Sequence, residues 1–387
     1  MIEIFDKDND GAVIKVIGVG GCGGNAVEHM MTKHVTGVEF ICANTDMQAL
    51  KKSNAKVVLQ IGADITKGLG AGAKPQIGRE SALEDRDSIA ETIDGADMLF
   101  ITAGMGGGTG TGAAPIIAEV AREMGILTVA VVTKPFAFEG KRTKVAQEGL
   151  EELSQYVDSL IVIPNEKLME VLGEDVTVVD AYRAANDVLH NAVSGIAEII
   201  NCPGLVNVDF ADVRTVMSEM GMAMMGSAEA SGQDRARIAA EQAVASPLLE
   251  DVNLANARGV LVNISASSSF KMREYYDVMN TIKEFTAEDA TVIVGNVMDE
   301  SMGDNLRVTM VATGLNGSLG KRQAKPELKV MTTLRDGTTN QPIFSQVAEE
   351  DEPAVFTSNS RRAQVEAMKN SGIEEYDIPA FLRKQAD

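Results

Sequence analysis

With 387 residues, 45% of them hydrophobic, the chain can build two domains with their own cores, and no apolar stretch is long enough to span a membrane. Its net charge of −21 repels nucleic acid and anionic lipid, which argues against direct binding to either. Three cysteines (Cys22, Cys42, Cys202) without metal-ligand spacing, and an acidic start without an apolar segment, predict a soluble cytoplasmic protein without disulfides or signal peptide.

In chain order, "AVIKVIGVG" (12–20) reads as a buried strand running into glycine, and "NAVEHMMTK" as the helix after it. "VEFICANTD" and "AKVVLQIG" are further strands. The glycine-rich loop "KGLGAGAKP" then leads into an acidic helix reaching about Thr92. "ADMLFITAG" is followed by "AGMGGGTGTGAAP", with six glycines between Gly104 and Gly112, then by a helix and the strand "ILTVAVVTKP". A helix over roughly 141–156 leads to "VDSLIVIPN". Strands apolar on both faces, alternating with helices, predict an α/β, Rossmann-like parallel sheet. A long helical pattern from Val176 to Cys202 stops at Pro203–Gly204.

Beyond it, short helices in "NVDFADVRTVMSEMG" and "QDRARIAAEQAVAS", and the strands "RGVLVNISAS", "TVIVGNVMD" and "LRVTMVATG" around a helix near 271–287, predict a second, smaller α+β domain. Polar, Pro- and Ser-containing sequence after it reads as a disordered linker, and "YDIPAFLRKQAD" regains apolar content. The expected organisation is a flexible start (1–11), a parallel-sheet domain (12–175), a central helix (176–204), a smaller domain (205–316), a linker (317–370) and a tail (371–387).

Two readings of the glycines compete. Gly18, Gly20 and Gly23 form a G-x-G-x-x-G with Glu39 downstream, as in a dinucleotide-dependent oxidoreductase, although glycine here also permits tight strand-to-helix packing. The second loop has no lysine, so it is not the common phosphate loop. Two such loops at helix N-termini of one parallel sheet can hold a polyphosphate by backbone N–H groups alone. Thr109 and Thr111 add hydroxyls, and "GAGA" (70–73) is placed to feel a terminal phosphate. His29, His34 and His190 read as structural. Asp209 and Asp212 suit helix capping and catalysis equally, and Asn165 after Pro164 could simply cap a helix.

The glycine run, with "KVIGVGGCGGNAVEHM", "NTD", "ITKGLGAGA", "VVTKPFAFEG", "SLIVIPN", "AANDVL", "NVDFADVRTVMSEMG", "SPLLED" and "DIPAFLRKQAD" in one order, resembles the tubulin/FtsZ family of cell-division GTPases along nearly the full chain. The resemblance implies GTP/GDP binding with Mg²⁺ bridging the phosphates. It also implies head-to-tail filaments of a division ring, with hydrolysis only at the junction between subunits.

By the same resemblance, Gly20, Gly21, Cys22, Gly23, Gly24 and Asn25 form the first nucleotide loop, and Asn44, Thr45 and Asp46 the second. Ala71, Gly72 and Ala73 surround the γ-phosphate, and Gly104, Gly106, Gly107, Gly108, Thr109 and Gly110 make the fourth loop. Thr133, Pro135 and Arg142 complete the phosphate side, Glu139 meets the ribose, Asn165 and Asn186 read guanine, and Tyr182 stacks on it. Asp209 and Asp212 enter the next subunit's site to polarise the attacking water, and Asn207 contacts the nucleotide region there. The resemblance implies that residues 376–384 dock on membrane tethers such as FtsA and ZipA, at midcell on the inner face of the membrane.

Two departures stand out: Cys22 replaces a family glycine, and "FEGKRTK" has a shortened basic run. A thiol at a helix N-terminus is expected to have thiolate character.

Overall fold

Aliphatic and β-branched runs buried on both faces become the central strands of the computed structural model, which describes residues 11–173, 175–201, 208–219, 221–249, 257–287 and 290–315. The expected linker and tail, Cys202 and Asn207 lie outside the described residues. The strands β1 (Ile14–Val19), β2 (Val38–Asn44), β3 (Val57–Gln60), β4 (Met98–Gly104), β5 (Leu127–Lys134) and β6 (Ser159–Pro164) are all parallel. They alternate with α1 (Gly20–Thr32), the short α2 (Met47–Leu50) and α3 (Ala63–Thr66), α4 (Pro75–Glu84), α5 (Arg86–Ile93), α6 (Thr109–Glu123) and α7 (Lys141–Leu153). Next come α8 (Asn165–Leu172), the long α9 (Val178–Asn201) and α10 (Phe210–Met217). The remaining elements are β7 (Gly221–Ser231), α11 (Arg235–Val244), β8 (Gly259–Ala266), α12 (Met272–Phe285), β9 (Thr291–Met298) and β10 (Asn305–Leu315).

One ten-stranded sheet runs through all of them in the order β3-β2-β1-β4-β5-β6-β7-β10-β8-β9. The two halves join where β6 pairs in parallel with β7 over Ser159–Gly221, Leu160–Met222 and Ile161–Ala223. One core packs α1 and α9 on one face of the sheet, around Met30, Phe100, Leu189 and Ile196. A second, around Ile101, Ile117 and Leu150, is closed by the helices before and after β4 and β5. A third, around Val262, Ile282 and Met310, fills the far half.

Three details differ from the sequence reading. The first helix starts at Gly20, directly after β1, so the glycines from Gly20 to Gly24 are its first turns rather than a separate loop. The acidic helix breaks into α4 and α5 at Asp85, whose carboxylate accepts the Gly62 N–H at 2.6 Å. Strand β7 occupies "GMAMMGSAEAS", a stretch to which the sequence reading assigned no element.

Candidate functional site

The strand order reverses direction between β1 and β4, and the carboxyl ends of strands at such a switch point form a crevice. There the helices α1 and α6 both begin, so their unpaired N–H groups and positive dipole ends converge. A cavity of about 450 Å³ opens at this place. Of the expected residues, Gly21, Cys22, Asn25, Gly72, Gly104, Gly107, Gly108, Thr109, Gly110, Thr133, Pro135, Glu139, Arg142, Asn165, Tyr182 and Asn186 line it. Val19, Met105 and Ala185 line it too and were missed; being ordinary apolar residues, they carry no sequence signal.

The glycines sort into two kinds. A Cβ on Gly18 would strike the Gly23 carbonyl, and one on Gly23 the Thr102 carbonyl, so these two serve strand-to-helix packing. At Gly21, Gly72 and Gly107 an added Cβ meets nothing, which leaves bare backbone facing the cavity. That is a cradle for a group approaching the main chain closely.

The other expected contacts stand behind the wall. Gly20, Gly24 and Asn44 border a smaller cavity of about 80 Å³ that shares Gly21 and Asn25 with the first. Thr45 is fully buried, and Asp46 caps α2 by accepting the Gln48 and Ala49 N–H groups. Ala71 is buried beside Gly108, Ala73 is exposed, and Gly106 (φ +95°) turns against the Arg142 backbone. The Thr111 hydroxyl accepts the Gly106 N–H at 2.8 Å and so braces the loop from within.

Also on the cavity wall, Glu139 accepts from the Phe136 N–H at 3.0 Å and from Arg142 at 2.6 Å. Tyr182 lies edge-on to Phe136, which stacks on the exposed Phe138. Asn165 occupies the first position of α8 and makes no capping bond. It is buried, and its Oδ1 has no hydrogen-bond partner. A cavity-lining residue whose buried acceptor has no protein partner is a place where a donor from a ligand can bind.

Cys22 opens onto the same cavity, its Sγ 3.8 Å from the Thr133 hydroxyl. A Cβ on Gly104 would lie 2.6 Å from Cys22 Cβ and 2.8 Å from Sγ, so Gly104 makes room for the thiol. The expected thiolate character is not what the surroundings favour. Desolvation pushes the thiol above its ordinary pKa, and the hydrogen bond with Thr133 only partly opposes it.

Glu39 does not serve the cavity. It sits at the amino end of β2 and pairs with Lys15 at 3.7 Å, which removes the ribose-binding acid from the dinucleotide reading. Asp209 and Asp212 are exposed at the start of α10, where Asp209 accepts the Asp212 N–H at 2.9 Å, so capping is real for Asp209. From this helix Arg214 donates to the Gly125 carbonyl just before β5, and the Met217 carbonyl accepts from Ser159, the first residue of β6. The acids therefore lie at the amino edge of the sheet, opposite the cavity.

Comparisons with known proteins agree with this architecture. Residues 13–173 match the tubulin/FtsZ family, GTPase domain, and residues 221–316 the FtsZ family, C-terminal domain. The chain is 56% identical over 388 residues to the cell division protein FtsZ of Coxiella burnetii, covering 99% of each chain. It is 57% identical to that of Pseudomonas aeruginosa, covering all of both. An empty FtsZ dimer of M. jannaschii superposes with a TM-score of 0.75 at 43% identity, over 78% of this chain and 88% of that one. A CetZ2 protofilament subunit from Haloferax volcanii, at 19% identity and a TM-score of 0.66 over 78% and 93% of the two chains, shares the fold. The chain belongs to the FtsZ family, and the cavity lies within the part that matches the family's GTPase domain.

Proposed function

We propose that the chain is a GTPase that assembles head to tail in a bacterial division ring and hydrolyses GTP only where two copies meet. The observation that carries this reading is the separation of the donor-lined cavity from Asp209 and Asp212. An eight-residue strand such as β5 spans about 25 Å, so one copy cannot bring both to the same phosphate. A second copy, stacked amino edge onto cavity, can. Such a contact is heterologous and does not close, so it continues as a filament. Exposed Leu69, Phe138, Val178 and Val179, on segments bordering the cavity, supply apolar surface for it.

In this reading the phosphates lie against the first turns of α1 and α6, with Gly72 beside the terminal one. The Asn165 acceptor and Asn186 meet the guanine edge, Tyr182 packs on the base, and Glu139 accepts from the ribose. Water attacks the γ-phosphorus, the bond to the β–γ bridging oxygen breaks, and the electron pair leaves on GDP, held by the N–H groups of the two helix starts. Asp212 of the second copy, acting with Asp209, takes the water's proton, and Asn207 contacts the nucleotide region. Mg²⁺, when bound with the nucleotide, would spread the phosphate charge, while the N–H groups at the starts of α1 and α6 and the Thr109 hydroxyl hold the phosphates.

The chain would then divide its work among a GTP-binding part (12–175), the central helix (176–204) and an assembly part (205–316). No helix among the described residues is long and apolar enough to cross a membrane. Docking of residues 376–384 on tethers such as FtsA and ZipA would bring the acidic chain to the membrane at midcell. Phosphate release against protein concentration, with GTP and ATP in parallel, tests the core of this. Specific activity should be near zero when dilute and rise above a threshold with GTP alone. Activity first order in protein throughout would contradict it.

A further inference from the structure

Thr45 is fully buried and does not line the cavity, yet it touches both loops that do. Its hydroxyl lies 2.7 Å from the Thr109 hydroxyl, and it accepts the Ala71 N–H at 3.0 Å. Its carbonyl accepts the Gly70 N–H at 3.2 Å and the Thr66 hydroxyl at 3.2 Å. One residue thus ties the start of α6 to the segment 66–71, which winds through left-handed backbone at Lys67, Gly68 and Gly70 and carries Leu69 at its exposed tip.

The direction of the hydroxyl chain follows from counting donors. The Ala71 N–H can only donate, so it fixes Thr45 Oγ1 as an acceptor. If Thr109 also donated to Thr45, the Thr45 hydrogen would be buried without an acceptor, since no other partner of that hydroxyl exists among the described residues. The satisfied arrangement runs from the Ala71 N–H to Thr45, from the Thr45 O–H to Thr109, and leaves the Thr109 hydrogen free. Thr109 lines the cavity, so that hydrogen points at whatever acceptor enters.

We propose that Thr45 is a positioning residue: it commits the Thr109 hydroxyl to donate to a phosphate oxygen and couples that donor to the segment carrying Leu69. The inference rests on the cavity being the GTP site. An acceptor at Thr109 strengthens the chain by polarising each bond in turn, which holds Ala71 and hence the 66–71 turn in place. A shift of that turn removes the Ala71 donor, and with it the polarisation that the Thr45 O–H passes on to Thr109.

The test compares Thr45→Val, Thr45→Ser and Thr109→Val with the parent chain, each titrated below the assembly threshold with GTP and with guanosine. Losing a hydrogen bond to a charged group corresponds to at least about tenfold in affinity. Thr45→Val should bind GTP about tenfold more weakly and guanosine as the parent does, and Thr45→Ser should restore GTP binding. Adding Thr45→Val to Thr109→Val should cost nothing further, because the first acts through the second. Additive losses, equal losses for GTP and guanosine, or parental GTP binding by Thr45→Val would each overturn the relay. A parent that binds guanosine and GTP equally would overturn the phosphate reading of the cavity, and the relay with it.

Discussion

Replacing Asn165 by leucine separates the base-reading role from packing. The residue is 4% exposed, and no protein donor reaches its Oδ1. Guanine offers ring and exocyclic N–H donors on its pairing edge, whereas adenine places a ring acceptor there, which would face Oδ1 lone pair to lone pair. A buried polar group left unpaired costs about 1–3 kcal/mol. A guanine ring N–H aimed at Oδ1 recovers that cost, whereas adenine in the same pose presents its ring acceptor and does not, its amino donor lying one position away. Leucine has similar volume and no acceptor, so Asn165→Leu should lower GTP affinity by about 1–3 kcal/mol, or about 5- to 150-fold. ATP affinity should hold or improve. The nucleotide-free variant should melt no lower than the parent, because the orphan acceptor has gone. Competition titrations with a fluorescent guanine nucleotide, below the assembly threshold, and thermal melts without nucleotide read all three. Equal losses for GTP and ATP, or an unchanged GTP affinity, would refute the reasoning.

Gly104→Ala should destabilise the fold by about 1–3 kcal/mol, because the new methyl collides with Cys22, and Cys22→Gly should relieve most of that loss in a double-mutant melt. Alkylation of Cys22 in the nucleotide-free protein should be slow at neutral pH and accelerate only above the ordinary thiol range, since desolvation raises its pKa; bound GTP should protect it, and equal labelling by mass mapping with and without GTP would count against the site. In the far half, burial alone would raise the Glu274 carboxyl, but hydrogen bonds from Arg235 and the Lys271 N–H outweigh it and hold the group below its ordinary value. Breaking that buried pair with Glu274→Gln should cost about 3–5 kcal/mol at neutral pH. Because the folded pKa is depressed, the contribution is complete above the unfolded carboxylate range and lost as pH falls through the folded value, so the gap between parent and variant melting curves should narrow in acid.

The parallel half was legible because both of its signals are local. Short apolar runs such as "MLFITA", bounded by turn residues, suit central strands, and glycine marks positions where backbone must stay bare or take a left-handed turn. The start of α1 was misread for a related reason. Four glycines in its first five residues oppose helix propensity, and close packing of Gly23 on β4 overrides them. Strand β7 was hidden by composition. Its Gly226 reads as a turn, but a Cβ there would strike the Ala243 carbonyl of α11, so the glycine allows close packing inside a strand. In the site, the residues quoted around the glycine loops mostly reach the cavity. The unpaired Asn165 oxygen and the Thr45–Thr109 contact were not readable, because each depends on what stands opposite, in the second case a residue 64 positions away.

Complementation between two inactive copies tests the shared active site most directly. Asp212→Ala keeps the cavity and loses the acid. Gly107→Val keeps the acid and intrudes on the cavity at a position where an added Cβ meets no protein atom within 4 Å. Each alone should release little phosphate. Mixed in equal amounts they should recover GTP hydrolysis, with roughly a quarter of random junctions pairing an intact cavity with an intact acid. A mixture no more active than its parts, or Asp212→Ala hydrolysing GTP at the parental rate by itself, would contradict catalysis shared across the junction.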